Sequence, residues 1–200
     1  MADPKHRLPT DTDNGLLVVM SGPSGVGKTT IARAVERAIP DSMFSVSATT
    51  RAKTDADVDG VDYHFVEEPA FRDMIDRDAF LEWAEVFGRL YGTPREWVDE
   101  QLRRGRVVIC DIDVEGARQI KARMPDAVTV FVLPPSEDEL LQRLRERKRE
   151  DEAAIQKRFA EAKREIAAAK ASGVYEHFIV NEVLETAITE AIGLVREARS

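Results

Sequence analysis

The chain of 200 residues has a single cysteine, Cys110. It therefore has no intramolecular disulfide, and no Cys/His set stands at the spacing of a zinc site, so a reducing, cytoplasmic setting is the expectation. Nowhere does an apolar run approach the roughly 18 residues of a membrane span, which excludes an integral helical membrane protein. The first 14 residues contain two Pro and three Asp and no apolar stretch of the kind a signal peptide needs, so they read as a loose tail. Positive charge is also scarce: 29 Lys and Arg against 37 Asp and Glu give a formal charge of -8. That balance argues against a broad nucleic-acid face or an anionic-membrane surface, and any phosphate chemistry must rely on cations concentrated locally.

What is present suits one globular domain with a full core, since 43% of the residues are hydrophobic and 33% charged. Internal repeats and low-complexity segments are lacking. Leu16–Met20, Val107–Cys110 and Val128–Leu133 are short continuous apolar runs, the pattern of strands covered on both faces. Helical spacing follows the first run at Ile31, Ala34, Val35 and Ala38 and recurs at Ile155, Phe159, Ala162 and Ile166. This alternation predicts an α/β fold built on a doubly wound parallel sheet. From Phe44 to about Gly92 it breaks down into a stretch with Thr, Tyr, Phe and Asp-Gly, read as a small mixed insertion, and 137–171 reads as one or two solvated helices.

Directly after the first predicted strand stands Gly22-Pro23-Ser24-Gly25-Val26-Gly27-Lys28-Thr29, which satisfies G-x-x-x-x-G-K-[ST] at every fixed position. In such a P-loop the glycines let backbone N–H groups converge on phosphate oxygens at the positive end of the following helix. Lys28 supplies a mobile cation, and the Thr29 hydroxyl is placed to ligate Mg²⁺, with Thr30 beside it. Asp111-Ile112-Asp113 ends the second apolar run, where doubly wound folds place ligands, and one of these acids is placed to hold Mg²⁺ through water. Cys110 reads as a small buried hydrophobe.

Further blocks run in order: Ser45-Val46-Ser47-Ala48-Thr49-Thr50-Arg51, Gly60-Val61-Asp62-Tyr63-His64-Phe65, Phe80-Leu81-Glu82-Trp83-Ala84, Tyr91-Gly92-Thr93, Asp111 to Gly116, Pro134-Pro135-Ser136 and Ile179-Val180-Asn181. With the P-loop, they make the chain from about Gly15 to Ser200 resemble the guanylate kinase family. The resemblance implies a P-loop NTPase core (15–43, 93–134 and 169–200), an NMP-binding region at about 44–92 and a helical lid at about 135–168. It implies ATP-dependent phosphorylation of GMP, and of dGMP, to the diphosphate with Mg²⁺, by a protein that works as a monomer or homodimer on small nucleotides. The residues carried over are Gly22 to Thr30 and Asn181 for ATP, and Ser47, Arg51, Tyr63 and Tyr91 for the GMP phosphate. Glu82, Thr93 and Asp113 correspond to the guanine readers, which leaves Asp111 with Thr29 as the metal candidate and the division between the two acids open.

Guanine offers N1–H and an exocyclic amine, which a carboxylate accepts, whereas adenine would leave Glu82 desolvated and unpaired. The resemblance further implies Lys28, Arg51 and, from the lid, Arg147 and Arg158 as the catalytic cations, which suits a reaction class where positioning and electrostatics dominate. The lid run Arg143 to Arg149 holds five cations around one acid. Departures from the family pattern stand out. T-T-R-x-x-R-x-G-E is replaced by Thr49-Thr50-Arg51-Ala52-Lys53-Thr54-Asp55-Ala56-Asp57, so Thr54 takes the place of a second phosphate arginine, with Lys53 adjacent as a point charge. R-G-R-G-T is replaced by Arg145-Glu146-Arg147-Lys148-Arg149, and Asn-Asp-Asp by Asn181-Glu182-Val183. A P-loop kinase for another small acceptor, and a nucleotide-binding scaffold without turnover, are the competing readings.

Overall fold

The structure is a computed structural model that describes residues 15–86, 88–146 and 151–200. In chain order the elements are β1 (Leu16–Ser21), α1 (Lys28–Ala38), β2 (Ser42–Phe44), β3 (Ala48–Thr49), β4 (His64–Phe65), α2 (Glu68–Asp76), β5 (Phe80–Val86) and β6 (Arg89–Pro94). There follow α3 (Arg95–Arg103), β7 (Val107–Asp111), α4 (Val114–Arg123), β8 (Val128–Leu133), α5 (Glu137–Glu146), α6 (Glu152–Ser172), β9 (His177–Val180) and α7 (Leu184–Arg199). The expected tail at 1–14 lies outside the described residues.

The three apolar runs sit side by side at the centre of a parallel sheet ordered β2-β7-β1-β8-β9. Val18 pairs with Ile109 on one side and Val128 on the other. The runs are continuous because both faces are covered. Val18, Met20, Ile109 and Val130 pack against Ile31 and Val35 of α1 and Ala187 and Ala191 of α7. On the opposite face Leu17, Val19, Val108 and Phe131 meet Val98 of α3, Ile120 of α4 and Ala169 of α6. Each such side chain, fully buried, contributes on the order of 2 kcal/mol.

The mixed insertion is a separate four-stranded sheet ordered β4-β3-β6-β5, in which β5 and β6 form an antiparallel hairpin. Its own small core stacks Phe71 of α2 on Phe80 of β5, ring centroids 4.5 Å apart, beside Ala48 and Leu90. Among the described residues, the segment expected to form solvated helices contains two helices, and only their outer faces are solvated. Leu140 and Leu144 of α5 pack on Ile155 and Ala162 of α6 as a third, satellite core. α6 then continues past 168 to Ser172, so its last turn belongs to the main core through Ala169, and Gly173 (φ 66°) ends it in the left-handed conformation. Among the described residues no helix is long and apolar enough to cross a membrane.

Candidate functional site

The loop between β1 and α1 is shaped by conformations that side chains would obstruct. Gly27, the N-cap of α1, has φ 91°, and a Cβ there would fall 2.7 Å from the Asn181 amide nitrogen. With no side chain at the cap, the first N–H groups of α1 are left to an anion, and the helix dipole favours one. Asn181, at the end of β9, is 4% exposed and donates from Nδ2 to the Val26 carbonyl at 2.7 Å. It therefore braces the loop from beneath, and its buried Oδ1 has no partner among the described residues.

Asp111 closes the loop from the adjacent strand. The Lys28 ammonium lies 2.5 Å from one carboxylate oxygen, and the Thr29 hydroxyl donates to the other at 2.7 Å. Burial by itself would lower the Lys28 pKa, but the Asp111 charge and hydrogen bond, with smaller contributions from Glu165 and Tyr63, together outweigh it and the net shift is upward. Lys28 thus stays cationic at any working pH. Arg158 of α6 donates to the Ser24 hydroxyl, which brings one expected lid cation against the P-loop across 134 residues of sequence. Arg147, the other, lies outside the described residues.

Facing the loop, the hairpin of the second sheet presents Glu82 from β5 and Thr93 from β6, register partners across the two strands. Both are buried, at 4% and 0% exposure, and the Thr93 hydroxyl donates to Glu82 Oε1 at 2.5 Å. That bond takes the only proton Thr93 has, so the hydroxyl orients the carboxylate. Burial pushes the Glu82 carboxyl up to about 7; the Thr93 hydrogen bond opposes the shift and the Asp113 charge adds to it. Asp113 is the N-cap of α4, accepting from Gly116 N at 2.8 Å. The two acids left open by the sequence therefore divide: Asp111 faces the P-loop cation and hydroxyl, and Asp113 faces Glu82.

The four expected phosphate ligands lie on or beside the second sheet. Ser47 precedes β3, and its carbonyl accepts from His64 N at 2.9 Å. The Tyr63 and Tyr91 rings meet edge to face at 5.7 Å, and the Arg51 guanidinium lies 5.2 Å from the Tyr63 ring centre. Lys53 is exposed and makes no ion pair among the described residues. Cys110 is 1% exposed, and burial pushes its thiol up to about 12, so it has no nucleophilic part here.

A cleft of about 830 Å³ runs between these parts, lined by Ser24, Glu85, Asp113, Arg158, Glu161 and Glu165 among others. Three residues of this region escape a reading of the sequence. Glu165 lies one heptad after Arg158 on the same face of α6, and burial raises its carboxyl to about 7 against the lowering effect of Lys28. Gly116 gives Glu82 its room: a Cβ at Gly116 would stand 2.5 Å from Glu82 Oε2. One turn later Gln119 clamps β5, accepting from Trp83 N at 3.2 Å and donating to Trp83 O at 2.9 Å. Only the 158/165 spacing leaves a trace in the sequence.

Comparison with known proteins gives a consistent result. The guanylate kinase family profile matches residues 14–198. A guanylate kinase of Anaeromyxobacter dehalogenans is 47% identical over 196 residues, 98% of this chain and 84% of that protein. One from a Synechococcus species is 49% identical over 175 residues, 88% of this chain and 94% of that protein. The crystal structure of guanylate kinase from Anaplasma phagocytophilum superposes with a TM-score of 0.74 at 29% identity, covering 94% of this chain and 88% of that one. A P-loop closed by an aspartate of the adjacent strand, a buried Glu82 facing Asp113 and this agreement over nearly the whole chain place the protein in the guanylate kinase family.

Proposed function

We propose that the protein transfers the γ-phosphoryl group of ATP directly to GMP, and to dGMP, giving the nucleoside diphosphate and ADP. The observation that carries this reading is that one strand end joins two clusters: Asp111, at the end of β7, holds Lys28 and Thr29, and Asp113, two residues on, faces the buried Glu82–Thr93 pair. The first is suited to a triphosphate tail and the second to a base with two adjacent donors. Glu82 accepts from guanine N1–H and the exocyclic amine in its ionised form, so binding draws its proton off. Adenine has no N1 donor to satisfy that carboxylate, and its exclusion follows from the cost of an unpaired buried acceptor.

Lys28 neutralises charge on the migrating phosphoryl group, and Arg158 is held over the P-loop to add to it. Arg51, with the Tyr63 and Tyr91 hydroxyls, fixes the acceptor phosphate so that its oxygen lies in line. No strong base is required, since alignment and charge stabilisation carry this class of reaction. The Thr29 hydroxyl and the Asp111 carboxylate form a pair of hard oxygen donors that would hold Mg²⁺. Mg²⁺ bound there supplies further neutralisation of the phosphate charge. The buried, inert Cys110 is compatible with a reducing, cytoplasmic location. Comparing kcat/KM for GMP, dGMP, AMP, UMP and dTMP with ATP and Mg²⁺ tests the assignment: the two guanine nucleotides should exceed the others by at least about a hundredfold, and comparable turnover of any other base would reject it.

A further inference from the structure

Residues 51–57 close on themselves around one carboxylate. Asp57 accepts from both terminal nitrogens of Arg51, Nη1 at 3.0 Å and Nη2 at 2.8 Å. It also accepts from the Thr54 backbone N–H and the Thr54 hydroxyl, each at 2.7 Å. The second hydrogen of Arg51 Nη1 goes to the Ala52 carbonyl at 3.1 Å. From below, the Arg51 backbone N–H is held by the buried Thr49 hydroxyl at 3.1 Å, and the Tyr63 and Phe65 rings lie 5.2 and 5.3 Å from the guanidinium. These bonds hold the Asp57 carboxyl below the usual carboxylate range, the Arg51 hydrogen bond first among them, so it is ionised throughout the working range of pH.

A guanidinium has five N–H donors, and three are engaged here. Among the described residues nothing takes the remaining two, the Nε–H and the outer hydrogen of Nη2. They are parallel and lie on one edge of the planar group, the arrangement that grips two oxygens of a phosphate. Thr54 occupies the place of a second arginine in the family pattern, and its hydroxyl points to Asp57. We propose that Thr54 and Asp57 are positioning residues for acceptor-phosphate recognition. Thr54 locks the Asp57 carboxylate, Asp57 holds the far end of Arg51, and the Nε/Nη2 edge is presented to the GMP phosphate already ordered. Affinity that a second cation would supply by charge comes here from preorganisation: the most flexible side chain of the site loses its rotamer freedom before the ligand arrives.

The opposite possibility is that Asp57 competes with the phosphate for Arg51. A neutral substitution separates the two by sign, because Thr54→Val loosens Asp57 without changing any charge. GMP and ATP saturation curves are measured for the wild type, Thr54→Val, Thr54→Ser and Asp57→Asn, with melting curves to confirm folding. Thr54→Val should raise the GMP KM about two- to tenfold, the range of one lost hydrogen bond. The ATP KM should stay at its wild-type value, and Thr54→Ser, which restores the hydroxyl, should return the GMP KM. Asp57→Asn also removes a negative charge near the phosphate, so it is read in about 1 M KCl, where the screening length is about 3 Å. There its GMP KM should exceed the wild type's by more than that of Thr54→Val does. A GMP KM that is unchanged or lower in Thr54→Val, or lower in Asp57→Asn at high salt, would overturn the proposal. The inference rests on the guanylate kinase reading, and wild-type GMP turnover tests that reading separately.

Discussion

Glu82 joins stability to recognition, so Glu82→Gln should improve one and damage the other. The unfolded carboxyl titrates near its ordinary 4.5, whereas burial raises it to about 7 in the folded chain. Between those values the folded state binds the proton the unfolded state has lost, so stability falls as pH rises through this window. Integrated over the shift, the deficit is under about 1 kcal/mol at pH 5 and about 3 kcal/mol at pH 8. Gln keeps the shape and still accepts from the Thr93 hydroxyl, but it has no charge to desolvate. The variant should therefore melt close to the wild type at pH 5 and roughly 5–10 °C above it at pH 8, for a chain of this size. In the same variant the GMP KM should rise and the ratio of GMP to AMP in kcat/KM should fall, because an amide offers one acceptor where the ion offers two. Melting curves across pH 5 to 8 and saturation with both nucleotides check this. A gap in melting temperature that does not widen with pH would refute the raised pKa, and an unchanged GMP:AMP ratio would refute the base-reading role.

The other predictions concern the loop, the metal pair and the room around Glu82. Lys28→Ala should cut kcat by a factor on the order of a hundred or more while circular dichroism stays native, as expected for the loss of one charge-stabilising donor; near-normal turnover in a folded variant would contradict the P-loop role. Asp111→Asn removes the charge that faces both Lys28 and Thr29, so the Mg²⁺ concentration needed for half-maximal rate should rise about tenfold or more, read from Mg²⁺ titrations at saturating ATP and GMP. Gly116→Ala places a methyl group 2.5 Å from Glu82 Oε2. It should raise the GMP KM by about tenfold or more while the ATP KM holds, and equal shifts in both would count against a steric effect confined to the base pocket.

What the sequence made legible is what local order controls. The P-loop is a contiguous motif, and its neighbours β1, β7 and β8 are continuous apolar runs because two helical layers cover them. β9 left a weaker pattern: as an edge strand of four residues it buries only Ile179. β3 and β4 are two residues each and exist through their partners. A buried Glu82 contradicts the rule that carboxylates face water, and the family resemblance, not its pattern, singled it out. Gly116 and Gln119 were out of reach because each acts on a residue far along the chain. Gln119 and Trp83 are 36 positions apart, and neither type announces the bond. The clamp on Arg51 was close in sequence and still missed, since Thr54 is informative only once its hydroxyl is seen on Asp57.

In the proposed reaction a phosphoryl group passes from ATP to GMP without release to water. The most direct measurement is product analysis by chromatography of purified protein incubated with ATP, GMP and Mg²⁺. ADP and GDP should form in equal amounts, inorganic phosphate should not accumulate, and no ADP should form when GMP is replaced by AMP. ADP formed with inorganic phosphate in place of GDP would contradict the proposed reaction.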